Sequence, residues 1–210
     1  MAFSKHFGFA AAALLASALS ANAAEYTIDA SHSDVLFKVK HMGISTVTGP
    51  FGEFSGSFDV DPRNVGKTTG SLTIKTASVN TNNAKRDDHL KGDDFFNAEQ
   101  YPEIKFKSKA VKNVNLADST ADLVGDLTIR DVTKEIVLKV KGTGILARDP
   151  WGNERAAFTA TGRINRFDYN LKWSALIESG GMVVAPDVDL VLSFEGVRPA
   201  AVPAPAKKKK

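Results

Sequence analysis

The sequence predicts an all-β chain folded as a closed antiparallel up-and-down β-barrel of about eight strands, with a short helical segment as a lid. Three observations carry this. Apolar and polar residues alternate with period two along nearly all of residues 24–198. Turn clusters such as Asp61-Pro62-Arg63-Asn64, Arg130-Asp131 and Pro150-Trp151-Gly152-Asn153 separate the alternating runs. Gly56, Gly125 and Gly162 fall on apolar faces, where a missing side chain permits sharp curvature or leaves room for a ligand. A β-sandwich would use the same alternation, and the glycines favour the barrel.

The runs follow in order. Tyr26 and Ile28 alternate with polar neighbours, and Val35, Phe37 and Val39 with Lys38 and Lys40. Phe54, Gly56, Phe58 and Val60 share a face, and Leu72 and Ile74 follow the first turn cluster. Ile104 and Phe106 alternate with Lys105 and Lys107. Leu123, Gly125, Leu127 and Ile129 meet Ile136, Leu138 and Val140 across a hairpin at Arg130-Asp131. Phe158, Ala160, Gly162 and Ile164 make the next face, and Val188, Leu190, Leu192 and Phe194 the last. One apolar and one wet face per strand is the pattern of antiparallel strands around a single interior.

Residues 82–97 break the alternation. Asn82 or Asn83 can cap a helix over Ala84–Lys91, and Gly92 can end it. Eight of the ten residues Lys85–Asp94 can carry charge, and Phe95 and Phe96 follow directly. This suits a cap across one barrel end with its aromatic foot inward, or equally a solvated surface helix anchored by two aromatics.

The chain has 210 residues, no cysteine, a formal net charge of +3 and a pI near 9.0. Disulfides, thiolate metal sites and cysteine nucleophiles are excluded. The basic character belongs to the ends. Met1–Ala23 reads as a signal peptide: Lys5 and His6, an apolar run Phe7–Leu19, then Ala21-Asn22-Ala23 with cleavage expected after Ala23. That predicts an exported protein. Residues 199–210 (PAAVPAPAKKKK) read as an extended tail whose Lys207–Lys210 block is either a solvated end or a contact for an anionic membrane surface. Residues 24–198 keep 22 basic and 24 acidic residues, a net −2, so nucleic acid is not an expected partner.

Chemistry-bearing motifs are sparse. Ser55 in Gly52–Gly56 is one place off a nucleophile elbow. Gly142-Thr143-Gly144-Ile145-Leu146-Ala147 matches a dinucleotide pattern in letters, but in a strand context with no helix following. His32, His41 and His89 have no zinc-pair spacing; a histidine-carboxylate metal site assembled in three dimensions stays open beside the commoner structural or rim histidine, and no cofactor is expected. What remains is a barrel lined by apolar residues, which is a container for one small ligand.

Five stretches resemble the YceI-like family of polyisoprenoid-binding proteins. They are Ile28–Gly43, with Ser31-His32-Ser33 and His41-x-Gly43; Gly49-Pro50-Phe51 through Gly56; and residues 82–102, with Lys85-Arg86-Asp87, Asp94-Phe95-Phe96 and Tyr101-Pro102. The others are Gly125–Lys134, and Phe158–Ile164 with the closing Val188–Glu195. The resemblance implies an extended lipocalin-like barrel whose tunnel holds an isoprenoid amphiphile, a polyprenyl phosphate or an isoprenoid quinone. It brings no catalytic residues.

The tunnel lining is then expected from Phe37, Val39, Phe54, Phe58, Ile74, Phe106, Leu127, Ile136, Leu138, Phe158, Leu190 and Leu192. Arg86, His89, Lys91 and Trp173 are expected at the mouth near the head group, against the alternative that the charged ones hold the lid by salt bridges. Burying a prenyl chain is worth ~0.8 kcal/mol per carbon. An exposed ion pair at a mouth gives about 0–1 kcal/mol, so the tail should dominate affinity. Two rival readings are an enzyme acting on a lipid head group through His41 or His89, and a ligand-free barrel filled by its phenylalanines. The exposed strands of such a barrel are compatible with an isologous homodimer.

Overall fold

The computed structural model describes residues 25–60 and 63–199. Residues 1–24, where the signal peptide is expected, Asp61 and Pro62, and the tail beyond Pro199 lie outside the described residues. Ten strands and one α-helix follow one another: β1 (Tyr26–Ile28), β2 (Asp34–His41), β3 (Ser45–Pro50), β4 (Phe54–Asp59), β5 (Thr69–Lys75), α1 (Ala84–Lys91), β6 (Glu103–Asn115), β7 (Thr120–Ile129), β8 (Val132–Leu146), β9 (Asn153–Asn165) and β10 (Val184–Pro199).

Eight of them close a ring in the order β1-β4-β5-β6-β7-β8-β9-β10, sealed by β1 against β10, and every pairing is antiparallel. β2 and β3 are additional. β2 takes the same free edge of β10 further along, from Ser193↔Asp34 to Val184↔His41, and β3 pairs with β2. The expected barrel is present, with two extra strands that splay away from β4 at one end.

The gap left by that splay is filled by residues 79–102. The Asn80 N–H donates to the Pro50 carbonyl, Val79 bridges Phe51, and the Thr76 N–H donates to the Pro102 carbonyl. Helix α1 has the predicted bounds. The Asn83 side chain accepts from the Arg86 N–H, and Gly92 caps the C-terminus. Asp87, buried in its first turn, accepts from both the N–H and the hydroxyl of Thr81. Phe95 is buried and packs with His89 and Trp173, and Phe96 meets Phe51 edge-on at 5.7 Å. The segment is a cap with its aromatic foot inward. Arg130, at φ +56 in the β7–β8 hairpin, bolts it down by donating to the carbonyls of Asp93, Phe95 and Asn170.

Among the described residues, no segment caps the opposite end. A small cluster girdles it, where Tyr26 stacks on Phe58 at 5.1 Å and Phe58 meets Phe158 at 5.0 Å. The Tyr26 hydroxyl donates to Glu154, and burial together with that bond pushes the phenol pKa upward. The β8–β9 turn beside it is rigid. Asp149 accepts from the N–H groups of Trp151 and Asn153 and from Arg155 Nε at 2.7 Å. Burial pushes the Asp149 carboxyl up, but the Asn153 N–H, the Arg155 guanidinium and the Trp151 N–H together hold it below the ordinary value. Arg155 also bridges Asp29 and Glu195, so a guanidinium already joins the Asp29, His32 and Glu195 group that would otherwise look metal-like.

Inside, Gly125 explains how the wall bends so tightly. A Cβ there would strike the Phe106 ring and the Lys107 carbonyl, whereas one at Gly144 would meet nothing within 4 Å. Gly125→Ala is therefore expected to cost about 1–3 kcal/mol in urea unfolding, and Gly144→Ala to stay within about 0.5 kcal/mol of wild type. The depressed Asp149 value means its charged form contributes stability above the ordinary carboxylate pKa of about 3.9, lost as pH falls through the folded value. Asp149→Asn should lower the denaturation midpoint at pH 7. It should also flatten the decline seen below about pH 4, without abolishing it, because Asp29 and Glu103 are depressed as well.

Candidate functional site

The strands leave a cavity of about 500 Å³ running along the barrel interior. It reaches from Leu90, Phe95 and Phe96 under the cap to Val114, Leu116 and Ile145 at the uncapped end. That volume lies within the ~300–1,000 Å³ of small-molecule sites. Its middle is aliphatic and aromatic because β5 to β10 each turn their apolar face inward.

Polar groups border it at two places. Toward the uncapped end they are hydroxyls and an amide, including Ser57, Thr68, Asn115, Ser119 and Thr143. Under the cap they are Arg166 and Tyr169. Arg166 is 4% exposed and is the one charged side chain at the cavity wall among the described residues. Its donors are used within the protein, on the carbonyls of Leu171, Trp173, Val184 and Ala185 at 2.5–3.0 Å. Arg166 thereby straps the connection between β9 and β10 across the capped end, and burial lowers its pKa. The Tyr169 hydroxyl is buried without a hydrogen-bond partner, and burial raises its pKa to about 12.

The residues expected to line the tunnel are placed as follows. Phe37, Val39, Phe58, Ile74, Phe106, Leu127, Ile136, Leu138, Phe158, Leu190 and Leu192 all border the cavity. Phe54 does not; it is half-buried and turned against Phe194 at 6.2 Å, packed in the wall.

The four residues expected at a mouth are not at the cavity wall. Arg86 folds back on the loop before α1, donating to the Thr81 hydroxyl and carbonyl at 2.6 and 2.7 Å. His89 pairs with Asp94 at 2.9 Å on the outside of the cap and packs edge-on against Trp173. Lys91 lies near Asp87 in the last turn of the helix. These contacts hold the cap together, and Leu90, Phe95 and Phe96 are what it presents to the cavity. Trp173 packs over Phe95 at the same end. The cavity meets exposed side chains at the other end, at Val114, Leu116 and Ile145. Arg166 and Tyr169, which border it under the cap, carry no sequence signal, because a β9–β10 connection without periodicity gives no cue to which side chains turn inward.

Comparison with known proteins agrees with the geometry. A family model described as the YceI-like domain matches residues 26–196. A UPF0312 protein of Photorhabdus laumondii is 42% identical over 193 residues, 91% of this chain and 95% of that protein. Protein YceI of Escherichia coli is 40% identical over 193 residues, 91% and 96% of the two chains. The crystal structure of a Campylobacter jejuni YceI protein superposes with a TM-score of 0.65 at 35% identity, covering 83% of this chain and 98% of that one. A domain from Saccharophagus degradans, described as polyisoprenoid-binding and implicated in plant cell wall breakdown, superposes with a TM-score of 0.58 at 18% identity, over 83% and 98%. With the matched domain spanning the whole barrel, the chain belongs to the YceI-like family.

Proposed function

We infer that this protein binds and carries a long isoprenoid amphiphile, a prenyl quinone or a polyprenyl phosphate, within its barrel in the periplasm. The observation that carries the reading is the cavity: about 500 Å³, apolar along its length and sealed at one end by packed aromatics. A barrel filled by its own phenylalanines would have no such space. The described binding of the Saccharophagus degradans domain, on the same fold, points the same way. Export rests on the signal-peptide pattern of Met1–Ala23, and the periplasm on the resemblance to the YceI-like family, many of whose members are exported there.

Binding fits the cavity better than catalysis does. Among the described residues no histidine and no carboxylate borders it. His89 is outside the cap, and His41 ends β2 at the splayed corner.

The prenyl tail enters toward the cap and the head group stays near the hydroxyls of the uncapped end, where water can solvate it. One observation favours a second orientation. The unpartnered Tyr169 hydroxyl could donate to a quinone oxygen inserted head-first.

Purified from its own periplasm, the protein should carry a prenyl lipid detectable by native mass spectrometry and identifiable in its extract. A clean apo mass, with no prenyl quinone taken up on incubation, would sink the reading. Val140, half-buried at the cavity wall, gives a blocking variant: Val140→Trp should keep the fold and weaken uptake by about tenfold or more. Because the tail dominates, a quinone and a polyprenyl phosphate of equal tail length should compete within about tenfold of each other. Tyr169→Phe should leave quinone affinity unchanged in the tail-first orientation. Head-first, it should weaken it by a few-fold up to about tenfold.

A further inference from the structure

Exposed large apolar side chains gather at both ends of the barrel, Met42, Ile44, Leu176 and Met182 at the capped one, but among the described residues those of the uncapped end alone adjoin the cavity. Leu116 and Val114 at the β6–β7 turn, and Ile145, Leu146 and Trp151 around the β8–β9 turn, are all exposed, Leu116 at 71% and Trp151 at 78%. Val114, Leu116 and Ile145 also border the cavity, so the apolar rim runs continuously into the lining. Trp151 is held there by a fully engaged turn. Its N–H donates to the buried Asp149, Gly152 takes φ +87, and Arg155 lies 5.6 Å from the indole centroid. A large aromatic fixed outward on a rigid turn beside an apolar rim marks a contact with something outside the chain.

Charge says what that is. Lys67, Lys112, Lys141 and Arg148 are exposed at this end and engage no carboxylate among the described residues. Of the nearby acids, Asp122 is engaged by Lys139, Asp149 by Arg155, and Glu154 and Asp59 by Arg198, while Glu25 and Asp118 accept from the neutral side chains of Ser57 and Asn115, which leaves four such cations against two carboxylates. The cap at the far end has the opposite balance, with five acidic and three basic residues in 79–102. The described chain also starts and finishes here, since Thr27 pairs with Val197 and Pro199 with Asn153, next to the Trp151 turn. Eight residues beyond Pro199 the sequence reaches Lys207, the first of four lysines, a span of at most about 27 Å.

We propose that the uncapped end docks on an anionic phospholipid bilayer, with Leu116 and Trp151 entering the headgroup region, the surrounding cations and Lys207–Lys210 facing lipid phosphates, and the cavity mouth turned to the membrane. A second copy of the chain would bring these cations against each other, whereas an anionic bilayer satisfies the apolar rim and the charge together. The purpose of docking rests on the carrier reading; the docking itself is measured without any prenyl lipid.

The test is co-sedimentation of the full mature chain with vesicles of phosphatidylcholine, with and without about one third phosphatidylglycerol. Binding to the anionic vesicles should be about tenfold or more tighter and should weaken with salt. Leu116→Ser with Trp151→Ser should weaken it by about tenfold or more, with an unchanged melting temperature. Brominated lipid should quench the wild-type fluorescence more than that of Trp151→Phe. Ile44→Ser with Leu176→Ser, two exposed positions at the capped end, should bind as wild type does. Absent binding to anionic vesicles overturns the proposal, as does full binding by the Leu116/Trp151 variant or loss of binding by the Ile44/Leu176 variant. So does a dimer abolished by Leu116→Ser with Trp151→Ser in a protein that ignores vesicles, which makes the rim a copy interface. Prenyl-quinone uptake from detergent solution, followed in parallel, separates failure of docking from failure of the carrier reading.

Discussion

One strand edge organises the molecule. The side of β10 not paired with β9 is shared by two partners in succession, β1 at Gly196 and Val197 and β2 from Ser193 back to Val184. Where β1 holds it, the ring closes through β4 and stays narrow. Where β2 holds it, β3 is added on the far side and β4 is displaced, so the wall opens. Both the need for a cap and the closed girdle at the opposite end follow from that switch. The short turn Ala30–His32, where Asp29 accepts from Ser31, is the step between the two registers.

The cap answers the opening with backbone hydrogen bonds before side chains. Unpaired strand groups at Pro50 and Pro102 would be costly in a buried wall; Asn80 and Thr76 satisfy them. Only then do Phe95 and Phe96 close the space, with Arg130 and Arg166 tying the flanking hairpin and the β9–β10 connection to the same end through carbonyl oxygens. Neither arginine meets a carboxylate there. Neutral carbonyl dipoles stabilise the two guanidinium groups without placing an anion against the apolar cavity.

Much of this was legible in the sequence because period-two alternation is a direct record of which side chains face inward. Leu123 and Gly125 across from Leu138 and Ile136, the Arg130-Asp131 hairpin, and helix Ala84–Lys91 with its Asn83 and Gly92 ends could all be read from local pattern. β3 could not. Ser45–Pro50 offers only Val47 and Gly49 to the inner side, and its strand partner is β2, so it leaves no apolar period. The polarity of the barrel was also hidden. Arg86, His89 and Lys91 look like head-group ligands because they are charged and lie beside aromatics, but their partners, Thr81, Asp94 and Asp87, are within six residues, and local pairing turned them away from the interior. Phe54 shared the inward face of Phe58 but was taken up by the ring of Phe194 from across the barrel wall, a contact no linear pattern records.

The seam between Thr27 and Val197 also governs when the fold can form. β1 can pair with β4, and β2 with β3, as soon as these are made, but the second edge of each meets its partner only in β10, so the ring cannot close until the chain is all but complete. Loop closure of that length and a high share of distant pairings make for slow folding. Until then the hydrophobic strands remain open to chaperones. The architecture therefore delays its own completion until the last strand is made.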